Sequence, residues 1–331
     1  MHKRKLGPFE VSALGLGCMN MSMGYGPAED EVSERLLNEA LDAGYTFLDT
    51  ASMYGMGHNE ELIGRALGHR RNAFILASKC GVSKGADGGN VINGRPEVLR
   101  RTCEQSLKRL QTDIIDIYYL HRMDPEVPIE ESVGLLGELV TEGKVRTIGL
   151  SEISTETLRR AHAEFPITAL QSEYSLWTRT PERQVLAACR ELGIAFVPFS
   201  PLGRGFLTGK AVDVTQMTEG DLRTTIGRPR FEPDNFARNS QLLAPVSKIA
   251  EAQGCTLAQL SLAWLLAREE GTLIPIPGTK HIDYMVENAA AGDMVLDAAT
   301  VAELDQLITE EKVAGTRYTE ELMASIDSEQ D

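Results

Sequence analysis

The chain has 331 residues and a formal net charge of -15, from 33 Lys and Arg against 48 Asp and Glu. An acidic balance of this size argues against nucleic-acid binding, which needs a basic footprint for the phosphates. With 42% hydrophobic and 24% charged residues it is a globular chain able to bury a large core, not a disordered one.

The start, MHKRKLGPFEVSALGLG, lacks the apolar block and cleavage site of a secretory signal, and no run reaches the roughly 18 apolar residues of a membrane helix. A cytoplasmic protein without a membrane partner is expected. Residues 3–11, KRKLGPFEV, place a Gly-Pro turn between two short extended runs and predict an N-terminal β-hairpin able to plug the bottom of a barrel. Eight short apolar runs follow, at residues 13–17, 46–49, 74–79, 115–121, 146–151, 169–171, 195–200 and 272–276. They are apolar on both parities, as parallel strands covered on both faces should be.

Amphipathic segments separate these runs. From Asp30 to Ala43, Val32, Leu36, Leu37, Ala40 and Leu41 recur at helical spacing before Gly44 stops the run. Pro96 opens a helix to Leu110, Pro128 one to about Glu142, and Pro181 one that stops at Gly193, proline being favoured in the first helical turn. Eight strands alternating with helices predict a (β/α)8 TIM barrel, with a doubly wound open sheet as the competitor. No Pro/Ser-rich linker divides residues 1–331, so one domain is expected. Residues 204–238 form a long loop of the kind used as a lid, and the acidic end, about 312–331 within 309–331, predicts a surface helix followed by a frayed tail.

Cys18, Cys80, Cys103, Cys189 and Cys255 are scattered and form no CxxC, and the six histidines form no HExxH. Reduced thiols and no metal site are therefore expected. The polar residues that close the apolar runs are more informative: Asp49, Lys79, His121, Ser151, Gln171 and Ser200. In a parallel barrel these positions converge on the C-terminal face, where active sites lie. A buried Lys79 needs a counter-charge, which Asp49 can supply. Tyr54 follows in the next loop, and a neighbouring ammonium is expected to lower its phenol toward neutrality. Such a phenol suits proton delivery to a carbonyl oxygen, with hydride supplied by a cofactor. Gly15-Leu16-Gly17 is a poor dinucleotide fingerprint and residues 200–210, SPLGRGFLTGK, do not have P-loop spacing. Loops after the seventh and eighth barrel strands are nevertheless frequent phosphate sites, and Lys280 near a helix start adds a cation there.

Over nearly the whole chain these residues resemble the aldo-keto reductase superfamily. The resemblance rests on GLGCMNMS (15–22), AGYTFLDTASMYGMGHNEELIGRAL (43–67), ILASKCG (75–81), SLKRLQTDIIDIYYLHRMDP (106–125), GKVRTIGLSEIS (143–154), LQSEYSLWTR (170–179), PFSPLGRGFLTGK (198–210) and IPIPGTK (274–280) with EN at 287–288. It implies a (β/α)8 barrel binding NADPH/NADP+ and acting on a small-molecule carbonyl substrate. The family's catalytic tetrad falls on Asp49, Tyr54, Lys79 and His121, with Tyr54 as general acid. Ser151 and Gln171 match contacts to the nicotinamide carboxamide and Phe199 the residue stacked on its ring. Ser200, Leu202, Gly203, Arg204 and Gly205 match the pyrophosphate segment, Gly278, Thr279 and Lys280 the 2'-phosphate region, and Glu287 and Asn288 the adenine contacts.

Two departures stand out. Glu152 replaces the common Asn, in a form similar to the branch containing pyridoxal reductases. Tyr284 and His281 replace commoner polar and basic residues, so that NADP preference rests mainly on Lys280. Met19, Tyr25, Met53, Met56, Met123 and Trp177 are expected to wall an adaptable apolar pocket, suited to aromatic or heteroaromatic aldehydes such as pyridoxal. Arg228, Arg230 and Phe231 are expected to fold over the cofactor. The resemblance also admits a cofactor-bound regulatory subunit similar to potassium-channel β-subunits; a carboxylate-pair hydrolase leaves Tyr54 and Lys79 without a role. No feature of the sequence specifies an oligomer.

Overall fold

A computed structural model describes residues 1–86, 88–210, 216–268 and 271–331. Strands β1 (Lys3–Leu6) and β2 (Phe9–Ser12) form the predicted antiparallel hairpin. The main sheet contains β3 (Leu16–Gly17), β4 (Phe47–Asp49) and β5 (Ile75–Cys80). A second hairpin, β6 (Val82–Lys84) with β7 (Asn90–Ile92), leaves the end of β5. The main sheet continues with β8 (Ile115–Leu120), β9 (Val145–Ser151), β10 (Ile167–Glu173) and β11 (Ala195–Phe199), all parallel, in the order β11-β10-β9-β8-β5-β4-β3.

The eighth predicted strand is an extended segment without a regular ladder. Its backbone closes the barrel all the same. Ile274 and Ile276 donate N–H bonds to Phe196 and Pro198 of β11, while Gly15 and Gly17 donate to the carbonyls of Pro275 and Pro277 on the other side. Those prolines have no N–H to return, so half the hydrogen bonds toward β3 are missing. The result is a nearly closed (β/α)8 barrel.

The helices on the outside are α1 (Asp30–Asp42), α2 (His58–Leu67), α3 (Pro96–Arg109), α4 (Ile129–Thr141), α5 (Thr155–Glu164) and α6 (Val185–Leu192), then α7 (Pro233–Ser240), α8 (Leu243–Ala252), α9 (Leu257–Leu266), α10 (Ile282–Ala290), α11 (Ala298–Leu307) and α12 (Glu320–Ala324). The first, third and fourth follow the predicted bounds within one or two residues. Pro181 instead opens a single 3-10 turn, Thr180–Glu182, and α6 starts at Val185. Among the described residues no helix is long and apolar enough to cross a membrane.

Two apolar layers result. One lies between strands and helices. The other fills the barrel with Phe47, Ala77, Ile117, Tyr119, Ala169 and Val197, and Leu6 and Val11 of the hairpin join it from below. Side chains alternate along a strand, so the residues two steps beyond this layer also face inward at the top: Asp49 beyond Phe47, Lys79 beyond Ala77, His121 beyond Tyr119, Gln171 beyond Ala169 and Phe199 beyond Val197. Gly149 makes room for Tyr119, since a Cβ there would come within 2.4 Å of its ring.

The chain's end is not frayed. Asp331 accepts bonds from the Thr155 N–H and hydroxyl at 2.9 and 3.0 Å, Asp327 accepts from Ser154 N–H at 2.7 Å, and Ser328 N–H donates to Glu152 O. The N-terminal backbone groups of α5 lack partners within the helix and carry a positive partial charge, which suits them to the acidic tail.

Candidate active site

The inward polar residues at the top of the barrel meet the floor of a cavity of about 930 Å3. Lys79 is fully buried, Asp49 is 2% exposed and Tyr54 9%. The Lys79 ammonium donates to Asp49 Oδ1, to Thr50 O at 2.8 Å and to the Tyr54 hydroxyl at 3.3 Å. Burial alone would depress this ammonium, but the adjacent Asp49 and Tyr54 reverse the effect and raise it. Gln171 Nε2 donates to the other Asp49 oxygen at 2.8 Å. Tyr54 is presented by the turn Tyr54–Gly57, where Gly55, Met56 and Gly57 all have positive φ, a conformation that glycine takes at least cost.

The phenol departs from the sequence expectation. Burial raises Tyr54 above its ordinary value, and the Lys79 ammonium only opposes that rise. The cost of a phenolate in a dry site exceeds the attraction of a cation already paired with Asp49. The His121 ring lies edge-on to Tyr54, centroids 5.9 Å apart. Burial, with help from Arg122 and Lys79, lowers His121 well below its ordinary value, so the imidazole is neutral.

The cavity wall takes in Ser151, Phe199, Ser200, Leu202, Arg204, Gly205, Gly278, Thr279, Lys280, Glu287 and Asn288. Gly203 is not on it; the Trp177 ring would lie 2.6 Å from a Cβ there. Arg204 reaches the wall, but its guanidinium donates to Glu173 at 2.9 Å and to Arg317 O at 2.6 Å. Lys280 donates to the Tyr25 and Pro27 carbonyls at 2.8 and 2.7 Å; carbonyls leave its net charge unneutralised. Lys210 lies over the Tyr284 ring at 3.3 Å and 3.6 Å from Glu287, which brings the loops after the seventh and eighth strands together.

Of the predicted pocket residues, Met19, Tyr25 and Met53 line the cavity. Three do not. Trp177 is 2% exposed and stacks on Phe206 at 4.2 Å. Met56 is 80% exposed to solvent, and Met123 packs against the outer core. The loop 204–238 is likewise divided. Its residues 211–215 lie outside the described residues. Met217, Thr218, Leu222, Arg223 and Ile226 form cavity wall, and Leu222 N–H donates to Gly24 O. Arg230 and Phe231, expected over the cofactor, are buried against Trp177 instead, while Arg228 pairs with Glu232 at 3.0 Å. They anchor the loop.

Glu152 also turns away from the cavity. It is buried with φ of 56° and accepts from Arg317 Nη2 at 2.5 Å, Ser328 Oγ at 2.7 Å and Glu173 N–H at 2.9 Å. Sequence reading missed Asn20, Arg122, Leu222 and Arg223 as wall residues. Only Arg122 carried a signal, as the neighbour of His121.

A model of the "Aldo/keto reductase family" matches residues 13–309. An aldo-keto reductase of Schizosaccharomyces pombe, named for NADP(+), is 44% identical over 95% of this chain and 94% of its own. A probable aldo-keto reductase of Glycine max is 44% identical over 94% of this chain and 89% of its own. Among solved structures, a glycerol dehydrogenase from Gluconobacter oxydans superposes with a TM-score of 0.84 at 28% identity, covering 92% of this chain and 94% of that one. An aldo/keto reductase from Klebsiella pneumoniae, in complex with NADP and acetate, gives 0.71 at 29% identity over 96% and 98%. A family model spanning most of the barrel and two relatives matched almost end to end agree with the fold: the chain belongs to the aldo/keto reductase family.

Proposed function

We propose that the protein is an NADPH-dependent reductase that converts an aldehyde or ketone to an alcohol, with Tyr54 as the proton donor. The observation that carries this reading is the Tyr54 hydroxyl 3.3 Å from a fully buried Lys79 paired with Asp49, at the floor of a cavity large enough for a dinucleotide and a small substrate.

The donor set fits such a cofactor. At the reacting end, Ser151 and Gln171 offer a hydroxyl and an amide beside the flat ring of Phe199, and at the other end Lys210 and Lys280 supply positive charge. Between them the backbone of residues 200–205 turns through positive φ at Ser200, Gly203, Arg204 and Gly205; the Gly203 and Gly205 N–H groups close the turn on Ser200 O and Leu202 O, and the N–H groups left over can face an anion. A relative named for NADP(+) and neighbours crystallised with NADP or NADPH support the choice.

The bound cofactor supplies the hydride. Tyr54, kept protonated by burial, gives its proton to the carbonyl oxygen. Lys79 stands ready to stabilise the phenolate left behind, and Asp49 keeps Lys79 charged. His121, neutral and close to Tyr54, orients the carbonyl oxygen, and fixed donors around that oxygen stabilise the charge that develops on it.

NADPH consumption with a panel of aromatic, aliphatic and heteroaromatic carbonyls tests the proposal, with Tyr54→Phe as control. The expected result is turnover by the parent protein and a kcat roughly 10²–10⁴ lower in the variant, with NADPH still bound. Equal turnover by both would remove Tyr54 from the chemistry.

A further inference from the structure

Among the cations that line the cavity Lys84 is exposed to solvent, and the reacting end carries one guanidinium that no carboxylate among the described residues pairs in a salt bridge. Lys79 is paired with Asp49, His121 is neutral because burial lowers its imidazole, and Tyr54 is an uncharged phenol. That leaves Arg122. It lines the cavity together with Tyr54, His121 and Ser151. Its Nη1 donates to His121 O at 2.6 Å and to Ser151 Oγ at 3.1 Å, two neutral acceptors that fix the guanidinium without cancelling its charge.

Among the described residues no carboxylate forms a salt bridge with Arg122, and its Nε and Nη2 have no acceptor. Glu152, next in sequence to Ser151, would be the natural partner, but its carboxylate is committed to Arg317 and Ser328 at 2.5 and 2.7 Å. The other arginines on the cavity wall, Arg204 and Arg223, are spent on Glu173 and Asp221. A protein with a net charge of -15 has thus kept an unpaired, immobilised guanidinium beside the group that protonates the substrate.

We propose that Arg122 is a specificity-determining residue that binds a carboxylate on the substrate near its reacting carbonyl, so that the preferred substrates are carbonyl acids rather than neutral aldehydes and ketones. The inference rests on the reductase reading above. A planar guanidinium with free donors matches a carboxylate in shape and charge, and a lysine ammonium does not reproduce that fork. The two bonds already made by Nη1 hold the fork in place before binding, which lowers the ordering cost.

The test uses matched probes: 4-formylbenzoate with its methyl ester, and phenylglyoxylate with its methyl ester. Each is assayed with NADPH against the full-length protein, Arg122→Met and Arg122→Lys, and NADPH binding is followed separately by fluorescence. The expected result is that the parent protein favours acid over ester in kcat/KM by roughly tenfold to a hundredfold, the range of a charge-assisted hydrogen bond. Arg122→Met should bring the ratio toward one, mainly through KM of the acid, and Arg122→Lys should restore part of it. The parent's preference should also weaken at high salt.

A parent ratio at or below one overturns the proposal and leaves the reductase reading standing. An equal loss on acid and ester in Arg122→Met, or a matching loss of NADPH affinity, overturns it too, because Arg122 then serves the cofactor or the fold. If NADPH binds and neither acid is reduced while other carbonyls of the panel are, the proposal falls and the reductase reading stands; if no carbonyl of the panel is reduced, both fail.

Discussion

Gln171 donates from its side-chain amide to Asp49 Oδ2 at 2.8 Å. Asp49 ends β4 and Gln171 lies two residues before the end of β10, strands that are not neighbours in the sheet, so the bond crosses the barrel's mouth. With Lys79 on Oδ1, each oxygen of this buried carboxylate has a donor, as a polar group in a dry site requires.

Replacing Gln171 by Leu should therefore leave Asp49 Oδ2 unsatisfied and cost about 1–3 kcal/mol of stability. Gln171→Glu should cost more, since it sets a second carboxylate against Asp49. Thermal unfolding of the two variants checks the order; equal melting temperatures for both variants and the parent would show that water replaces the bond at no cost.

The pH dependence of reduction follows from the direction of the Tyr54 shift. Burial holds the phenol above its ordinary value of 10.0, and the proton transfer proposed for Tyr54 needs the protonated form. The acid is therefore present at all pH values below that raised pKa and is lost only as pH climbs through it. The profile of kcat/KM for carbonyl reduction should be flat through neutrality and fall only above about pH 10. An alkaline limb centred near pH 7–8 and abolished in Tyr54→Phe would mean that the Lys79 ammonium outweighs burial.

Glu152 and Arg317 tie the end of β9 to the C-terminal segment. Burial would push the Glu152 carboxyl up, but Arg317 beside it prevails and takes it down to about 2 from the ordinary 4.5. A depressed carboxyl contributes stability that is complete above the unfolded value and is lost as pH falls through the folded one. The contribution should thus be present above about pH 4.5 and disappear between there and about pH 2. Glu152→Gln should destabilise by about 3–5 kcal/mol, because Arg317 is left buried with one partner fewer, and the gap from the parent should narrow in acid. A gap that stays constant down to pH 2 would contradict the assignment.

Trp177 and Met56, both expected on the pocket wall, leave it in opposite directions, one into the core and one into solvent. Trp177→Ala should cost about 3–5 kcal/mol through the cavity left against Phe206 and Phe231. Met56, which is 80% exposed, should tolerate Ala within about 0.5 kcal/mol and without change in KM. Met53→Ala, on the cavity wall, should alter KM for apolar carbonyls. Chemical denaturation and kinetics on the three variants separate these outcomes; a change of KM in Met56→Ala that exceeds that of Met53→Ala would reverse the placement.

The barrel and the polar floor of its cavity were legible in the amino-acid sequence because both follow from local rules. A buried parallel strand is apolar on both parities and turns polar where it leaves the core, so the ends of the runs pointed to Asp49, Lys79, His121, Ser151 and Gln171 without coordinates. The strict period of two then put those on the same inner face as the packed layer beneath them. Even the eighth strand was read as a run, although Pro275 and Pro277 deprive it of a full ladder.

Tertiary structure alone decided what depends on pairs distant in the chain or on the balance between burial and charge. Loop residues have no fixed period, so nothing local separates Met53 on the wall from Met56 in solvent, or shows Trp177 facing Phe206. Glu152 and Arg317 are 165 positions apart, and only the docked tail reveals that the acid next to Ser151 is consumed there while Arg122 keeps its charge. The direction of the Tyr54 shift belongs to the same class: sequence adjacency named the ammonium that would lower the phenol, but the desolvation that raises it is a property of the closed cavity floor.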